Sequence, residues 1–369
     1  MSNSKRKILF LIENLDEGKA AKSLSILVQY IDKTKFDVTV CSINAGGQYE
    51  AVIRENVKYK AILTGVEGMK HKFVYRSLPL SLVYKMYVPH GNDVEIAYSE
   101  GFATKLLAHA SKGKTKRYAW VHTDFNKNHW SKEAFSSDKE ESEVYNRYDK
   151  VIGVTNLVCE AFQRQLPSVK VPVERIYSPV DSLSVRLKSM NSSKEEPFKV
   201  STRIVAWGRL EPNYEYGRLL RVVNRLVGEG NDLGLWIFGE GTDRILLERY
   251  IQTNELQQRV KLFGFHPNPY RFMIQGQLFF CGAYSSSVIS ALILGMPVVA
   301  IDIPELKELL KDGECGLMVS NSDEALYQGI KKLLDDPELL GQYRQRGEVR
   351  GFDFDIEALI APVEGLLMN

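Results

Sequence analysis

The sequence predicts an α/β protein of two domains, each with a parallel β-sheet covered by helices on both faces. The chain has 369 residues, more than one ordinary core accommodates. Short continuous apolar runs alternate with helical runs in both halves, a pattern typical of parallel strands buried on both faces. A polar stretch at residues 184–201 interrupts this alternation, which restarts immediately afterwards.

The first strand is expected at residues 7–12, which are almost entirely apolar. Residues 21–33 follow with apolar side chains at helical spacing, so a helix is expected there. Further strands in the first half are expected at residues 37–43, 94–99, 116–122 and 150–155. Strands in the second half are expected at residues 202–208, 233–239, 260–264, 277–281, 297–302 and 316–319.

These expectations give the following domain boundaries. An N-terminal Rossmann-like domain spans residues 1–182, and a linker spans 183–200. A C-terminal Rossmann-like domain spans residues 201–350, and a last helix spans 351–369. Ligands of open parallel sheets bind at the carboxyl ends of the strands, so the candidate site is expected there.

Composition excludes several classes of protein. The net charge of +2 gives no general nucleic-acid signature. The four cysteines form no C-x-x-C pair, which favours reduced, buried thiols and a cytoplasmic protein. The apolar run at residues 8–15 contains Glu13 and Asn14, and is therefore interpreted as a strand and not as a signal peptide. Polar residues, a glycine and a proline interrupt residues 278–301, so a membrane span is not expected there either.

Five segments of the second half have a recognisable order and spacing, at residues 205–210, 235–241, 260–265, 291–300 and 312–319. In that order they resemble the C-terminal domain of glycosyltransferase family 4, the retaining enzymes of the GT-B fold. Residues 7–13, 100–101, 120–122 and 177–181 stand where the N-terminal elements of that family occur. The resemblance therefore covers nearly the whole chain.

The resemblance implies a GT-B fold, in which two Rossmann-like parallel-sheet domains face a cleft that holds a nucleotide-sugar. A UDP-sugar is the expected donor, and no metal or other cofactor is implied. The expected acceptor is a glycan, a glycolipid or a glycoprotein, with the N-terminal domain as the acceptor domain. The identity of the sugar and the acceptor does not follow from the sequence.

The implied nucleotide-sugar site begins with Arg209, because the family holds the diphosphate with the corresponding arginine. A guanidinium suits this role through paired hydrogen bonds, although a surface arginine at a strand end is the alternative. Gly239 and Gly241 end a strand and allow backbone N–H groups to approach a phosphate. A plain strand–turn–helix connection is the alternative for these glycines.

Ser285, Ser286, Ser287 and Val288 precede a predicted helix that runs into residues 291–294, and their N–H groups and hydroxyls are expected to cap this helix. Binding of phosphate oxygens by the same groups is a further expectation. The resemblance also places Gly18, Tyr214, Phe265 and Ser290 at the nucleotide-sugar site. His122 matches a cleft histidine that faces the sugar and is the candidate catalytic residue, with a hydrogen-bonded loop histidine as the alternative.

Four positions depart from the family pattern. Tyr214 stands in place of the phosphate-binding lysine, and a tyrosine cannot neutralise a diphosphate. Of the two glutamates of the family's Glu-x7-Glu motif, the second is replaced by Ser290 and the first falls on Gly282 in a shortened loop. Ala21 replaces the glutamate of the N-terminal glycine-rich loop.

Two functions remain open from the sequence. The first is a glycosyltransferase that acts in bacterial cell-surface polysaccharide or glycoconjugate synthesis. The second is a catalytically inactive pseudo-glycosyltransferase that acts as a binding or partner subunit of an active glycosyltransferase. Nothing specific supports a GT-B epimerase or phosphorylase.

Two basic segments indicate a possible peripheral contact with the inner membrane face. Residues 70–85 mix basic and large apolar side chains, and residues 112–117 contain four basic residues. The alternative is that the apolar residues of the first segment, among them Leu78 and Leu82, pack inward and the lysines are solvated.

Overall fold

The computed structural model describes residues 4–16, 18–64, 78–111, 113–191 and 198–369. They form two compact units. The first unit comprises residues 1–180 together with 359–369, and the second comprises residues 181–358. Each unit contains one parallel sheet, as the alternation of apolar strands and helices predicts.

The first unit contains a seven-stranded sheet in the order β3-β2-β1-β4-β5-β6-β7. All of its neighbouring strands are parallel. The strands are β1 (Arg6–Ile12), β2 (Phe36–Asn44), β3 (Lys58–Leu63), β4 (Val94–Ala97), β5 (Lys116–Val121), β6 (Lys150–Gly153) and β7 (Val173–Arg175).

The second unit contains a six-stranded parallel sheet in the order β10-β9-β8-β11-β12-β13. The strands are β8 (Thr202–Trp207), β9 (Leu233–Phe238), β10 (Val260–Gly264), β11 (Leu278–Cys281), β12 (Val298–Ile301) and β13 (Leu317–Val319).

The α-helices of the described residues cover the faces of these sheets. Those of the first part of the chain are α1 (Lys19–Tyr30), α2 (Glu50–Asn56), α3 (Leu80–Tyr87), α4 (Phe102–Leu107), α5 (Asp138–Tyr145) and α6 (Asn156–Gln165). Those of the second part are α7 (Ser182–Ser189), α8 (Tyr216–Gly228), α9 (Arg244–Thr253), α10 (Tyr270–Met273), α11 (Ser286–Ile293), α12 (Pro304–Leu310), α13 (Asp323–Asp335), α14 (Pro337–Phe352) and α15 (Ile356–Met368).

The central strands of both sheets are buried on both faces. In β1, the side chains of Leu9, Phe10 and Leu11 are fully buried, although successive side chains point to opposite faces. In the second unit, α8 buries Leu219, Val223 and Leu226 at helical spacing against the sheet, and its polar residues face outward. The strands are continuously apolar because both of their faces are buried, and the helices are amphipathic because only one of their faces is buried.

Each sheet has one point where the strand order reverses direction. In the first unit the chain adds β2 and β3 on one side of β1 and then places β4 on the other side. In the second unit the same reversal separates β8 from β11. The crevice outside the carboxyl ends of the two strands at such a switch point is the usual ligand site of an open α/β sheet.

The chain segment predicted as a linker, residues 183–200, contains most of helix α7. The Asp181 carboxylate accepts a hydrogen bond from the Ser184 N–H at 2.8 Å and so caps this helix. The Ser182 hydroxyl also accepts a hydrogen bond from the Ile356 N–H at 3.0 Å. The N-terminal signal of this short helix therefore lies at Asp181, just before the stretch predicted as a linker.

The last helix, predicted for residues 351–369, is observed at Ile356–Met368. Its residues from Leu359 onward belong to the first unit. There, a Glu364 carboxylate oxygen accepts a hydrogen bond from the Asp32 N–H at 2.8 Å.

The two basic segments are only partly described. Lys70, Lys72, Phe73, Tyr75 and Arg76 lie outside the described residues, as does Lys112. Within α3, Val83 and Tyr84 are buried, whereas Leu82 is 40% exposed. Among the helices that the structure describes, none has the length and apolar character that crossing a membrane requires.

All four cysteines lie among the described residues and carry thiols, and Cys41, Cys281 and Cys315 are buried. Burial raises the pKa of the Cys41 and Cys281 thiols to about 12. These two thiols are therefore protonated at neutral pH. The expectation of buried thiols is confirmed for Cys41, Cys281 and Cys315, whereas Cys159 is only half-buried.

Candidate functional site

Arg209 lies at the switch point of the second unit, directly after β8. Its side chain is exposed, and its guanidinium has no hydrogen-bond or ion-pair partner among the described residues. The Gly208 N–H on one side donates to Phe238 O at 3.0 Å, and the Leu210 N–H on the other side donates to Glu240 O at 2.9 Å. A fixed backbone thus presents a free cation at the carboxyl edge of the sheet.

Gly239 and Gly241 hold this loop through close backbone contacts. Gly239 has a φ of +135°, and a Cβ there would lie 1.8 Å from Gly208 O. A Cβ on Gly241 would lie 2.3 Å from Leu210 O. Only glycine fits at either position, because the loops after β8 and β9 are packed against each other. Gly239 and Gly241 therefore allow two loops to pack closely, as expected for a plain strand–turn–helix connection. Their contact with a nucleotide stays a prediction.

The turn that carries Tyr214 packs over the ends of β8 and β11. The Tyr214 ring is buried, and its Cε1 would lie 2.5 Å from a Cβ placed on Gly208. A Cβ on Gly282 would lie 2.0 Å from Tyr214 O. The position of the first family glutamate is therefore filled by backbone, and a side chain at residue 282 does not fit this loop conformation.

The start of α11 borders the other side of the switch point, after β11. Ser287 donates its hydroxyl to Trp207 O at 2.6 Å, and the Ser285 and Ser287 hydroxyls are hydrogen-bonded to each other. Ser286 is exposed, whereas Val288 is fully buried. The expected side-chain cap is wrong: Ser285 occupies the N-cap position but makes no capping hydrogen bond. The serines instead tie the helix start to the end of β8.

Ser290 replaces the second family glutamate and is only 4% exposed. Its hydroxyl donates to Ser286 O at 3.3 Å, one helical turn earlier. Burial raises the pKa of Tyr270, and the nearby Ser290 hydroxyl opposes this rise. The Ser290 hydroxyl is thus enclosed near Tyr270 and bonded to the backbone of its own helix.

Phe265 and Gly18 are two further residues predicted at the nucleotide-sugar site. Phe265 follows β10 at the edge of the second sheet and is 80% exposed, so its ring is available to a ligand. Gly18 precedes α1 with an extended φ of −168°, and a Cβ there would meet no atom within 4 Å. The backbone places no demand for glycine at residue 18.

His122 ends β5 in the first unit and is 5% exposed. Its Nε2–H donates to Tyr98 O at 3.0 Å, since a carbonyl can only accept. The neighbouring Glu100 carboxylate accepts hydrogen bonds from the N–H groups of His122 and Thr123, at 2.6 and 2.7 Å. These bonds hold the ends of β4 and β5 together.

Burial lowers the pKa of His122, so the ring is neutral at pH 7. With the proton on Nε2, Nδ1 is a buried acceptor that has no partner within the described part of the chain. Within the first unit, the hydrogen bond of the His122 ring matches the alternative interpretation of a hydrogen-bonded loop histidine. Its contact with a sugar stays a prediction.

Glu13, which directly follows the apolar strand β1, was not predicted from the sequence as a site residue. Its side chain lies at the first unit's switch point, where Oε2 accepts a hydrogen bond from the Ala103 N–H at 3.2 Å. Burial raises the pKa of this carboxyl to about 7. A charged residue directly after the buried run Ile8–Ile12 was the sequence signal that could have found it.

Comparison with known proteins finds a family similar to the second unit. Residues 189–350 match the family described as "Glycosyl transferases group 1". A curated relative from Campylobacter jejuni is an N-acetylgalactosamine-N,N'-diacetylbacillosaminyl-diphospho-undecaprenol 4-alpha-N-acetylgalactosaminyltransferase. It is 29% identical over 189 residues, which make up 49% of this chain and 50% of that protein. The chain thus spans about half the length of the curated relatives it matches.

Solved structures resemble the chain over nearly its whole length. HepE of Anabaena in complex with UDP has a TM-score of 0.70 at 18% identity, covering 98% of this chain and 99% of that one. A glycosyltransferase from Rickettsia africae has a TM-score of 0.74 at 14% identity, covering 99% and 98%. Likeness at these identities concerns the fold. Residues 189–350 therefore resemble the glycosyl transferases group 1 family, within a chain whose two Rossmann-like units have the fold of GT-B glycosyltransferases.

Proposed function

We propose that the chain is a glycosyltransferase of the retaining, family 4 type. It transfers a sugar from a UDP-sugar to a glycan, glycolipid or protein-linked acceptor in bacterial cell-surface polysaccharide or glycoconjugate synthesis. The C. jejuni relative carries the name of an N-acetylgalactosaminyltransferase, and HepE is a structural neighbour in complex with UDP. Both likenesses support the reaction class.

Arg209 is the single observation that carries the proposal. An exposed guanidinium without a protein partner stands at the switch point of the second sheet, directly beside a backbone that close contacts hold in place. A leaving nucleoside diphosphate needs positive charge placed before the transition state, and a guanidinium can bind it through paired hydrogen bonds. The N–H groups of Ser286 to Val288 border the same crevice and complete the proposed phosphate site.

Calorimetric titration with UDP tests this proposal. Arg209→Ala should weaken UDP binding by about 1.5–3 kcal/mol, the range for hydrogen bonds to a charged group. Arg209→Lys should recover only part of that loss, because an ammonium cannot make the paired contact. Arg249→Ala is the matched control, since Arg249 is an exposed arginine of the same unit on α9. Equal UDP affinity in Arg209→Ala, or no UDP binding by the wild type, would contradict the proposal.

The second candidate function, a non-catalytic partner subunit of the same fold, is favoured by the loop after β11. Gly282 and Tyr214 O leave no room for the first family carboxylate, and Ser290 is enclosed with Tyr270. We therefore expect turnover with UDP-sugars far below the typical value of about 10 per second. Release of UDP near that rate would contradict the partner-subunit alternative, whereas tight UDP binding without turnover would favour it.

A further inference from the structure

The Glu13 carboxylate lies at the switch point of the first unit, and only one of its two oxygens has a hydrogen-bond partner among the described residues. The Glu13 backbone is fixed, because its N–H donates to the Ser99 hydroxyl at 3.0 Å and its C=O accepts from the Asn44 N–H at 3.0 Å. In the side chain, Oε2 is anchored on the Ala103 N–H, whereas Oε1 has no partner among the described residues. A carboxylate oxygen without a partner accepts hydrogen bonds and cannot donate them when ionised.

An exposed aromatic ring lies beside the same turn. A Cβ on Gly101 would lie 3.2 Å from Cη2 and Cζ3 of Trp130, so the indole rests against this glycine. Gly101 has a φ of +83°, the left-handed region that glycine tolerates. Trp130 remains 40% exposed, and its indole N–H donates to the Thr123 hydroxyl at 3.3 Å. Glu13 and Trp130 thus contact the same short turn, residues 101–103.

Buried contacts fix the segment that presents the indole. His129 stacks on Phe125 with ring centroids 3.9 Å apart and lies 3.0 Å from a carboxylate oxygen of Glu141. Ser131, on the other side of the tryptophan, donates its hydroxyl to the same Glu141 oxygen at 3.2 Å. The residues before and after Trp130 are therefore held on α5, and the ring does not depend on a ligand for its position.

We propose that Glu13 and Trp130 form a saccharide subsite, in which Glu13 Oε1 accepts a hydrogen bond from an acceptor hydroxyl and the indole packs on the sugar ring. A sugar offers hydroxyl donors at its rim and C–H groups on its face, which match a carboxylate acceptor and an amphipathic aromatic ring. A phosphate-bearing group is disfavoured here at about pH 8, where the Glu13 carboxylate is ionised and repels an anion. The inference rests on the proposed glycosyl-transfer function and assigns two positioning residues for its acceptor.

Saccharide binding by the full chain, without nucleotide, tests the subsite. The probes are the methyl α-glycosides of glucose, galactose, N-acetylglucosamine and N-acetylgalactosamine, measured by saturation-transfer NMR up to about 10 mM, a range suited to millimolar affinity. We expect at least one probe to bind the wild type. Glu13→Gln and Trp130→Ala should each weaken that binding about tenfold, the loss of one hydrogen bond to a charged group or of one packed aromatic. Trp130→Phe should bind better than Trp130→Ala, because it keeps a ring.

Two controls separate this inference from the proposed function. Glu55→Gln changes an exposed glutamate of α2 and should bind the same probe as the wild type does. UDP titration of Glu13→Gln and Trp130→Ala should give wild-type affinity, which also shows that the variants are folded. No binding of any probe by the wild type would overturn the subsite even where UDP binds normally. Unchanged saccharide binding in both variants would overturn it as well.

Discussion

The two units use the same topological position in opposite ways. At the β8/β11 switch point, glycines bring backbone against backbone, and the exposed group is the Arg209 cation. At the β1/β4 switch point, the Glu100 carboxylate organises the strand ends through the N–H groups of His122 and Thr123, and the open group is the Glu13 carboxylate. One position suits a diphosphate and the other a neutral donor of hydrogen bonds.

This difference shows that two sheets of the same topology present different chemical groups at their switch points, because the residues that follow the strands differ. The two sheets have the same reversal of strand order, yet the charges at their switch points have opposite sign. A Rossmann-like unit is therefore not by itself evidence of a nucleotide site. The comparison predicts how substitutions at each switch point act. In the second unit they destabilise the fold by crowding the backbone, and in the first unit they act by changing the chemistry of side chains.

The largest effect is expected for Gly239→Ala. The new methyl would lie 1.8 Å from Gly208 O, and the φ of +135° is unfavourable for alanine. Both partners are backbone, so neither can turn away, and we expect the free energy of unfolding to fall by about 4 kcal/mol. Gly341→Ala in α14 is the control, because its Cβ would meet no atom within 4 Å, and a helical alanine should be neutral or stabilising. Urea unfolding of both variants measures the difference, and a loss below about 1 kcal/mol in Gly239→Ala would refute the crowding.

A smaller effect is expected for Gly282→Ala, and it contrasts with Gly101→Ala in the first unit. The Cβ at residue 282 would lie 2.0 Å from the carbonyl Tyr214 O, whereas the Cβ at residue 101 would lie 3.2 Å from the Trp130 ring. We expect losses of about 3 kcal/mol for Gly282→Ala and about 1–2 kcal/mol for Gly101→Ala, since a ring can shift but a loop backbone cannot. A larger loss at residue 101 than at residue 282 would reverse this comparison.

The Gly282 result also bears on whether the missing family carboxylates can be restored. Ser290→Glu places a longer side chain beside the Tyr270 hydroxyl, and a glutamate at residue 282 meets Tyr214 O. We therefore expect Ser290→Glu with Tyr214→Lys to leave UDP release slow, because the loop after β11 still excludes the first carboxylate. A rise of tenfold or more in UDP release by this double variant would show that the loop adapts.

Sequence alone predicted the sheets because their causes are local. The apolar run that ends at Ile12, followed by helical spacing in α1, is visible without any tertiary contact. The role of Ser285 was not predictable in this way. Three consecutive serines before an apolar helix are typical of an N-cap, but Ser287 finds Trp207 O, 80 residues earlier in the chain, and Ser285 pairs with Ser287 instead. Which partner a hydroxyl takes depends on which strand end comes close.

The raised pKa of Glu13 was likewise not predictable from the sequence. The sequence displays a glutamate at the end of a buried strand, but its environment comes from Ser99 after β4 and Ala103 at the start of α4. Burial by these distant segments is the main cause of the raised pKa of Glu13, and the Ala103 N–H opposes it. Periodicity in the sequence places the residue at the edge of the sheet and gives no measure of its desolvation.

The pH dependence of stability in Glu13→Gln addresses the first switch point directly. The folded pKa of about 7 exceeds the ordinary value of 4.5, so the folded protein binds more protons than the unfolded chain between these two pH values. Stability contributed by this group is therefore present below about pH 4.5 and is lost as the pH rises to about 7. Glutamine never ionises and still accepts the Ala103 N–H, so the variant should gain about 3 kcal/mol over the wild type at pH 8 and nothing at pH 4. Urea unfolding at both pH values measures this gain, with Glu55→Gln as the exposed control that should show none. An equal difference between Glu13→Gln and wild type at pH 4 and pH 8 would mean that Glu13 is as well solvated as an ordinary surface carboxylate. The acidic character of the first switch point would then have no energetic consequence for the fold.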